Sequence, residues 1–406
     1  MLKYLLLCGA FILNNVYAGS LNSFSGYLQQ HLAYGYNSDT AQESLNSALF
    51  LDYNHNFNGN WKFKGNAKIY YDLIYDIKSD RYTQDELNAF RSQKEVFDAY
   101  IEGSVGDDLD IKLGRQVIVW GRSDNIRITD ILNPLDNRIP GVTNIEDLRL
   151  PVTMARFDYF TENWRITPIV ILEQRFSKLP PFGSVFSLSP FVMPDNESYN
   201  DITYALSIDR AFPEWDISLY AARIRDDSGY IPIESNPRIT HEKTTMFGAA
   251  LNIINNSWLV KVEAAYFDGL RFTSTQEKHF SRTDSLIGVE YSGAVDTIIN
   301  YDFSLRHFNN YDIKLFDEPN LLNRDTYQHA FGVNSDFMNA TLHINYLLSL
   351  YGVSMNKGGL QKISAKYDVT DRVSVDIGAI DYISGSVFFN EIKSQDTIFM
   401  NITYNF

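Results

Sequence analysis

The chain is almost free of cysteine: one residue in 406, Cys8. It lies in an N-terminal stretch, residues 1–18, with a positive start at Lys3, an apolar run over 5–13 and a small-residue exit at Ala18. That is the pattern of a secretory signal peptide. The remainder, 19–406, then has neither disulfide nor thiolate metal ligand. Leu7 stands where a lipoprotein signal carries a small residue, so Cys8 is not read as a lipid anchor. No run of 18 apolar residues occurs, which excludes a transmembrane helix. Basic charge is scarce: 35 Lys and Arg stand against 50 Asp and Glu, a formal net charge of −15. Nucleic-acid affinity comes from Lys and Arg on phosphates, so no nucleic-acid partner is expected. Catalytic signatures are missing too. The seven His are scattered, HExxH and GxSxG are absent, and His241-Glu242 sits in a loop-like stretch. No enzyme, cofactor or metal is expected, and Asp107, Asp108 and Asp110 read as a charged turn.

What the chain does have is period-2 alternation. Over residues 61–76, Trp61, Phe63, Gly65, Ala67, Ile69, Tyr71, Leu73 and Tyr75 fall on one face. Lys62, Lys64, Asn66, Lys68, Tyr70 and Asp72 fall on the other. The run is longer than most soluble strands. The last residues repeat the pattern, with Ile398, Met400, Ile402, Tyr404 and Phe406 on one face. An exported chain that ends on an amphipathic strand with a terminal aromatic looks like a bacterial outer-membrane β-barrel. Tyr404 and Phe406 would then be the signal read by the barrel-assembly machinery. In lipid only closed barrels satisfy the backbone groups of strands, with apolar side chains outward and polar ones inward.

Eighteen alternating runs are found, from 23–36 to 396–406, and a count of sixteen stays open. Turns as short as Asn58-Gly59-Asn60 and Asn255-Asn256-Ser257 alternate with longer connections such as 77–94, 121–151 and 175–198. This is the asymmetry of outer-membrane barrels, short periplasmic turns against long external loops. Trp61, Trp164, Trp215 and Trp258, four of the five Trp, each follow a short turn directly. They are expected to form an aromatic girdle at the periplasmic interface, because Trp favours the headgroup zone. The expected fold is an all-β transmembrane antiparallel barrel, a single domain over 19–406.

Residues 121–151 do not read as a hairpin. They carry turn signals at Asn133-Pro134 and Pro140-Gly141, and nine charges: Arg122, Asp124, Arg127, Asp130, Asp136, Arg138, Glu146, Asp147 and Arg149. Ile126, Ile128, Ile131 and Leu132 are interleaved among them. A loop this long is usually functional or disordered. Its mix of charge and aliphatic residues favours an ordered segment that folds inward and narrows the pore. Arg115 is a local puzzle. Alternation over 109–120 puts it with Leu109, Ile111 and Leu113 on the lipid face, at a cost of about 2–4 kcal/mol at midplane. A bulge at Gly114 would turn it inward, toward Asp124, Asp130 or Asp136. The alternative is an Arg snorkelling at the outer interface.

Gly114, Arg115, Gln116, Trp120, Gly121, Ser123, Asn133, Pro134 and Asp136, with Pro140, Gly141 and the LRLP at 148–151, resemble the outer-membrane family known as domain of unknown function 1302. Alginate-export porins are the nearest alternative. The resemblance implies a porin-like protein, and a link to inner-membrane exporters of the resistance–nodulation–division (RND) type. Lys62, Lys64 and Lys68 on one strand, and Lys362 and Lys366 on another, are expected on the lumen wall. Basic columns opposite acidic loops would set up a transverse field that aligns polar or zwitterionic solutes; the bland reading is a merely wettable lumen. The function expected is a channel for a specific polar or amphipathic solute, narrowed by 121–151. The alternatives are a component of an RND-type export or lipid-trafficking system, and a plugged barrel enzyme or adhesin. The expected setting is the bacterial outer membrane, in contact with its lipid and lipopolysaccharide.

Overall fold

The computed structural model describes residues 22–37, 42–57, 59–143, 145–189, 191–318 and 321–406. The expected signal peptide and the side chain of Glu146 lie outside the described residues. Eighteen strands run up and down in chain order. They are β1 (Asn22–Gly35), β2 (Ser44–Asn56), β3 (Trp61–Asp72), β4 (Ser92–Val105), β5 (Leu109–Gln116), β6 (Val152–Phe160), β7 (Arg165–Ile171), β8 (Thr203–Ala211) and β9 (Trp215–Arg225). The second half holds β10 (Lys243–Asn255), β11 (Trp258–Leu270), β12 (Phe280–Ala294), β13 (Thr297–Phe308), β14 (Asp325–Phe337), β15 (Leu342–Tyr351), β16 (Gly359–Asp368), β17 (Val373–Ile383) and β18 (Thr397–Asn405). Every neighbouring pair is antiparallel, and β1 pairs with β18 from Tyr27↔Asn405 to Gly35↔Thr397. The sheet therefore closes on itself and has no free edge.

The two faces follow the alternation. Leu219, Phe247, Ile287, Ile363, Ile377 and Ile398 are exposed on the outside. Their strand neighbours Ser218, Glu263, Asp284, Asp302 and Ser364 are buried on the inside. A soluble protein does the reverse; apolar outside and polar inside is the arrangement of a transmembrane barrel.

Some strands stop earlier than the alternation suggests. β3 ends at Asp72 instead of residue 76. The Asp72 carboxylate accepts hydrogen bonds from Leu45 N (2.9 Å), Ser44 Oγ (2.6 Å) and Ile74 N (3.1 Å), which turns the chain into a short helix, Ile74–Ile77. β5 ends at Gln116, four residues before the expected end, so the irregular segment begins at 117. The bulge expected at Gly114 is absent. The β4–β5 register runs Leu113↔Ile101, Gly114↔Tyr100, Arg115↔Ala99 without a shift. The shift lies one strand pair away, between Gly65↔Ala99 and Ala67↔Val96, where two β4 residues oppose Asn66 alone. Asn66 holds that bulge through its side chain, with Asp98 N and Asp98 Oδ2 both at 2.8 Å.

The largest apolar core lies inside the barrel. Ile118, Trp120, Ile126, Ile128 and Leu132 from the connection between β5 and β6 pack on Val152, Met154, Ile169, Ile171, Tyr220, Met246, Phe267, Phe280 and Phe308, inner-face residues of β6 through β13. A second cluster joins Phe186 of the β7–β8 loop with Ile380, Tyr382 and Phe399 of the wall and Phe389 and Ile392 of the helix Val387–Ile392.

Candidate functional site

The connection between β5 and β6 is built by side chains that replace strand pairing with local hydrogen bonds. Gly114 has φ +131, and a Cβ there would lie 2.3 Å from Ala99 O, so only glycine fits. Gln116 is fully buried and donates through Nε2 to Gly114 O and Met154 O, each at 3.2 Å. Asn133, also fully buried, ties the two ends of the segment together. Its Oδ1 accepts Ile118 N at 2.8 Å, and its Nδ2 donates to Gln116 O (3.3 Å) and Leu150 O (2.9 Å). Buried polar groups are costly unless paired, and these pairs supply the missing ladder bonds.

Beyond Trp120, which stacks on Tyr220 at 4.6 Å, the segment meets the wall. Glu263 on β11 points inward and is 2 % exposed; its carboxylate accepts Arg122 N (2.6 Å), Ser123 N (2.9 Å) and Thr129 Oγ1 (2.8 Å). Gly121 at φ +90 leaves room for it, since a Cβ would stand 2.7 Å from Glu263 Oε2. Ser123 Oγ donates to Asp302 Oδ2 on β13 at 2.8 Å, and Asn125 Nδ2 to Asn300 Oδ1 at 2.9 Å. Further along, Tyr382 of β17 donates to Pro140 O at 2.6 Å and Lys362 of β16 to Val142 O at 2.7 Å. One stretch of chain thus touches inner-face residues of β11, β13, β16 and β17.

Most of the expected charges are paired, each with a specific partner. Arg122 binds Asp216 and donates to Ser218 Oγ at 2.7 Å. Asp124 lies 3.2 Å from Lys261 Nζ. Asp130 takes both Arg127 (3.2 Å) and Arg149 (2.8 Å). Asp136 binds Arg138 through Nε at 2.7 Å, and Arg138 reaches Gln93 Oε1 at 2.5 Å. Asp147 is exposed in the short helix Ile145–Leu148. Arg115 does not meet the carboxylates expected for it. It pairs with Glu95 (3.3 Å) and Glu173 (3.5 Å), and Glu95 also takes Arg175 (3.0 Å) and Lys178 (3.3 Å). Glu95 lies beyond the β4 bulge, which shifts the alternation of its strand.

On the wall, Lys62 and Lys64 pair with Glu102 (2.5 Å) and Asp98 (3.6 Å) on the next strand, and Lys366 lies 3.7 Å from Asp368. Lys68 stands across from Phe50. These lysines sit among acids of their own wall more than they form bare basic columns. Trp61, Trp215 and Trp258 begin β3, β9 and β11, and Trp164 immediately precedes β7, all at the short-turn end. Tyr404 and Phe406 are exposed on the outer face. Alternation alone gave no sign of Glu263, Asp302, Glu95 or Tyr382. The polar face of 258–269, with Lys261 and Glu263 two apart, was the one available hint.

A closed barrel with a membrane-compatible outside and a charged inside belongs to the class of porin-like outer-membrane proteins. The sequence adds the family: the chain belongs to the family described as protein of unknown function, DUF1302, whose model matches residues 28–406. No curated protein matches it in sequence. In fold it is similar to the crystal structure of Pseudomonas aeruginosa OpdK with vanillate, at 10 % identity and a TM-score of 0.58, covering 95 % of this chain and 98 % of that one. Acinetobacter baumannii OccAB3 is similar at 10 % identity and a TM-score of 0.57, covering 95 % and 99 %. P. aeruginosa OccK8 (OprE) is similar at 12 % identity and a TM-score of 0.54, covering 95 % and 98 %.

Proposed function

We propose that this barrel is a channel of the bacterial outer membrane for a specific class of polar or amphipathic solute, narrowed by residues 117–151. The observation that carries the reading is the pair of attachments of one segment, to Glu263 and Asp302 on one side and to Lys362 and Tyr382 on another. A chain held at both places occupies cross-section that solute would otherwise use. Arg122, Asp124, Arg127, Asp130, Asp136, Arg138 and Arg149 are the constriction charges in this reading, and most of them are spent on fixed partners. The open route runs along the arc of β1–β3, whose inner faces carry Gln29, His31, Lys64 and Lys68. The Trp residues at the short-turn end support a periplasmic interface there.

Single-channel conductance in planar bilayers tests the proposal. Deleting residues 123–147 should give a correctly folded barrel with a larger and less selective conductance. An unchanged conductance in that variant removes the constriction.

A further inference from the structure

Away from the segment, at the short-turn end of the lumen, the wall of β3–β6 lines a half-open cavity of about 330 Å³. It is lined by three cations, Lys62, Lys112 and Arg156, and three acids, Glu102, Asp110 and Asp158. Four of these six are committed to each other. Arg156 binds Asp158 in a fork, Nη2 to Oδ1 and Nε to Oδ2 both at 2.8 Å, and Thr167 Oγ1 donates to the same carboxylate at 2.7 Å. Lys62 holds Glu102 at 2.5 Å. The other two are not committed in this way. Lys112 lies 3.8 Å from Glu102 Oε2, the oxygen that Lys62 leaves open, a longer pair than the others, with its ammonium 3.7 Å above the Tyr100 ring. Among the described residues, Asp110 accepts a single side-chain hydrogen bond, from Ser104 Oγ at 2.6 Å.

Lys112 and Asp110 are two apart on β5 and share its inner face. Two residues of strand separate their Cα atoms by about 7 Å. A cation and an anion with spare hydrogen-bonding capacity therefore face one cavity side by side. A lone carboxylate would meet the acids of this balanced set, and a lone amine its cations. A solute with both charges meets a partner for each. We propose that this cavity binds a small zwitterion carrying one ammonium and one carboxylate, the ammonium on Asp110 and the carboxylate on Lys112. It is a station at the periplasmic mouth of the channel, so its place in transport rests on the channel reading. Its existence as a binding site does not.

The test is calorimetric titration of the full barrel, folded in detergent, with 4-aminobutyrate, butyrate and butylammonium. The zwitterion should saturate one site at least tenfold more tightly than either singly charged analogue. Asp110→Asn and Lys112→Gln should each remove that preference, and Lys112→Arg should keep most of it. Equal binding of the three ligands overturns the site, as does a preference that both variants leave intact. Bilayer conductance of the same preparation keeps the two readings apart. A conducting barrel without the preference loses only the site, and a zwitterion-binding barrel that does not conduct loses only the channel.

Discussion

Arg149 donates through Nε to Asp130 at 2.8 Å, and the two side chains are 6 % and 4 % exposed. Nineteen positions apart in sequence, they clamp the segment between β5 and β6 onto itself. Arg127 shares the same carboxylate at 3.2 Å.

Breaking a buried pair leaves an uncompensated charge, at a cost of about 3–5 kcal/mol. Asp130→Ala strands two guanidinium groups and should loosen the segment by that order. Arg127→Ala should do less, because Arg149 remains. Asp136→Ala should also do less, since Asp136 is 22 % exposed and a more accessible pair contributes about 1 kcal/mol. Limited proteolysis should cut within 117–151 in Asp130→Ala while the barrel keeps its heat-modifiable migration on gels. If Asp136→Ala is cut faster than Asp130→Ala, this ranking is wrong.

Glu263 is the wall anchor of the same segment. Hydrogen bonds to a charged group contribute about 1.5–3 kcal/mol each, though not additively. Glu263→Ala should detach residues 121–129 from β11 and raise both the mean conductance and its fluctuation. A steady current at the parent level would show that the anchor is dispensable.

Phe406 extends the seam that closes the barrel. Phe406 N donates to Gly26 O and Gly26 N to Phe406 O, each at 3.0 Å. A Cβ on Gly26 would stand 2.9 Å from the Phe406 ring and 2.4 Å from Phe50 O. Deleting Phe406 and substituting Gly26→Val should both lower the amount of assembled barrel in the outer membrane, with export across the inner membrane intact. Cell fractionation reads the outcome, and parental levels of either variant would contradict it.

The loop between β9 and β10 carries two titrating groups of opposite sense. Burial pushes the Asp226 carboxyl up to about 6, with Asp227 adding to the rise and Arg282 opposing it. Burial holds the His241 imidazole below its ordinary value, while its Nδ1 lies 2.7 Å from Asp226 O. An acid with a raised pKa binds more protons folded than unfolded, so its contribution is present at low pH and is lost as pH rises through about 6. A histidine with a lowered pKa binds fewer, so its contribution is lost as pH falls below the ordinary histidine value. Hydrogen-exchange protection factors in 226–242, taken relative to the intrinsic rate at each pH, should therefore fall on acidification from pH 7 to 5 in Asp226→Asn, and rise in His241→Gln. Identical pH slopes in the two variants would exclude this linkage.

Strand number, closure and facing were legible because alternation is unbroken where one face meets lipid and the other water, as in β3 and β18. The pattern fades where the wall is apolar on both sides. In β7, RITPIVI, Ile169 and Ile171 face the inner core while Ile166 and Val170 face outward. Periodicity cannot reveal such a core, because it is made with a distant segment. The interleaved aliphatic and ionic residues of 121–151 suggested an ordered, charge-paired segment. The partners were not legible: Arg115 finds Glu95 only because a bulge in another strand shifts that strand's alternation. The family motif reads as architecture. Gly114, Gln116, Gly121 and Asn133 each solve a backbone or hydrogen-bonding problem at the point where the strand stops.

The inner core also divides the barrel mechanically. From β6 to β13 the wall is backed by close-packed side chains, and such interiors are nearly incompressible. The arc through β1–β3 has no comparable backing from that core. Lateral pressure from the surrounding lipid should therefore flatten the thin-walled arc before it bends the filled one. The lumen's bore would then vary through movement of its wall as well as of its segment.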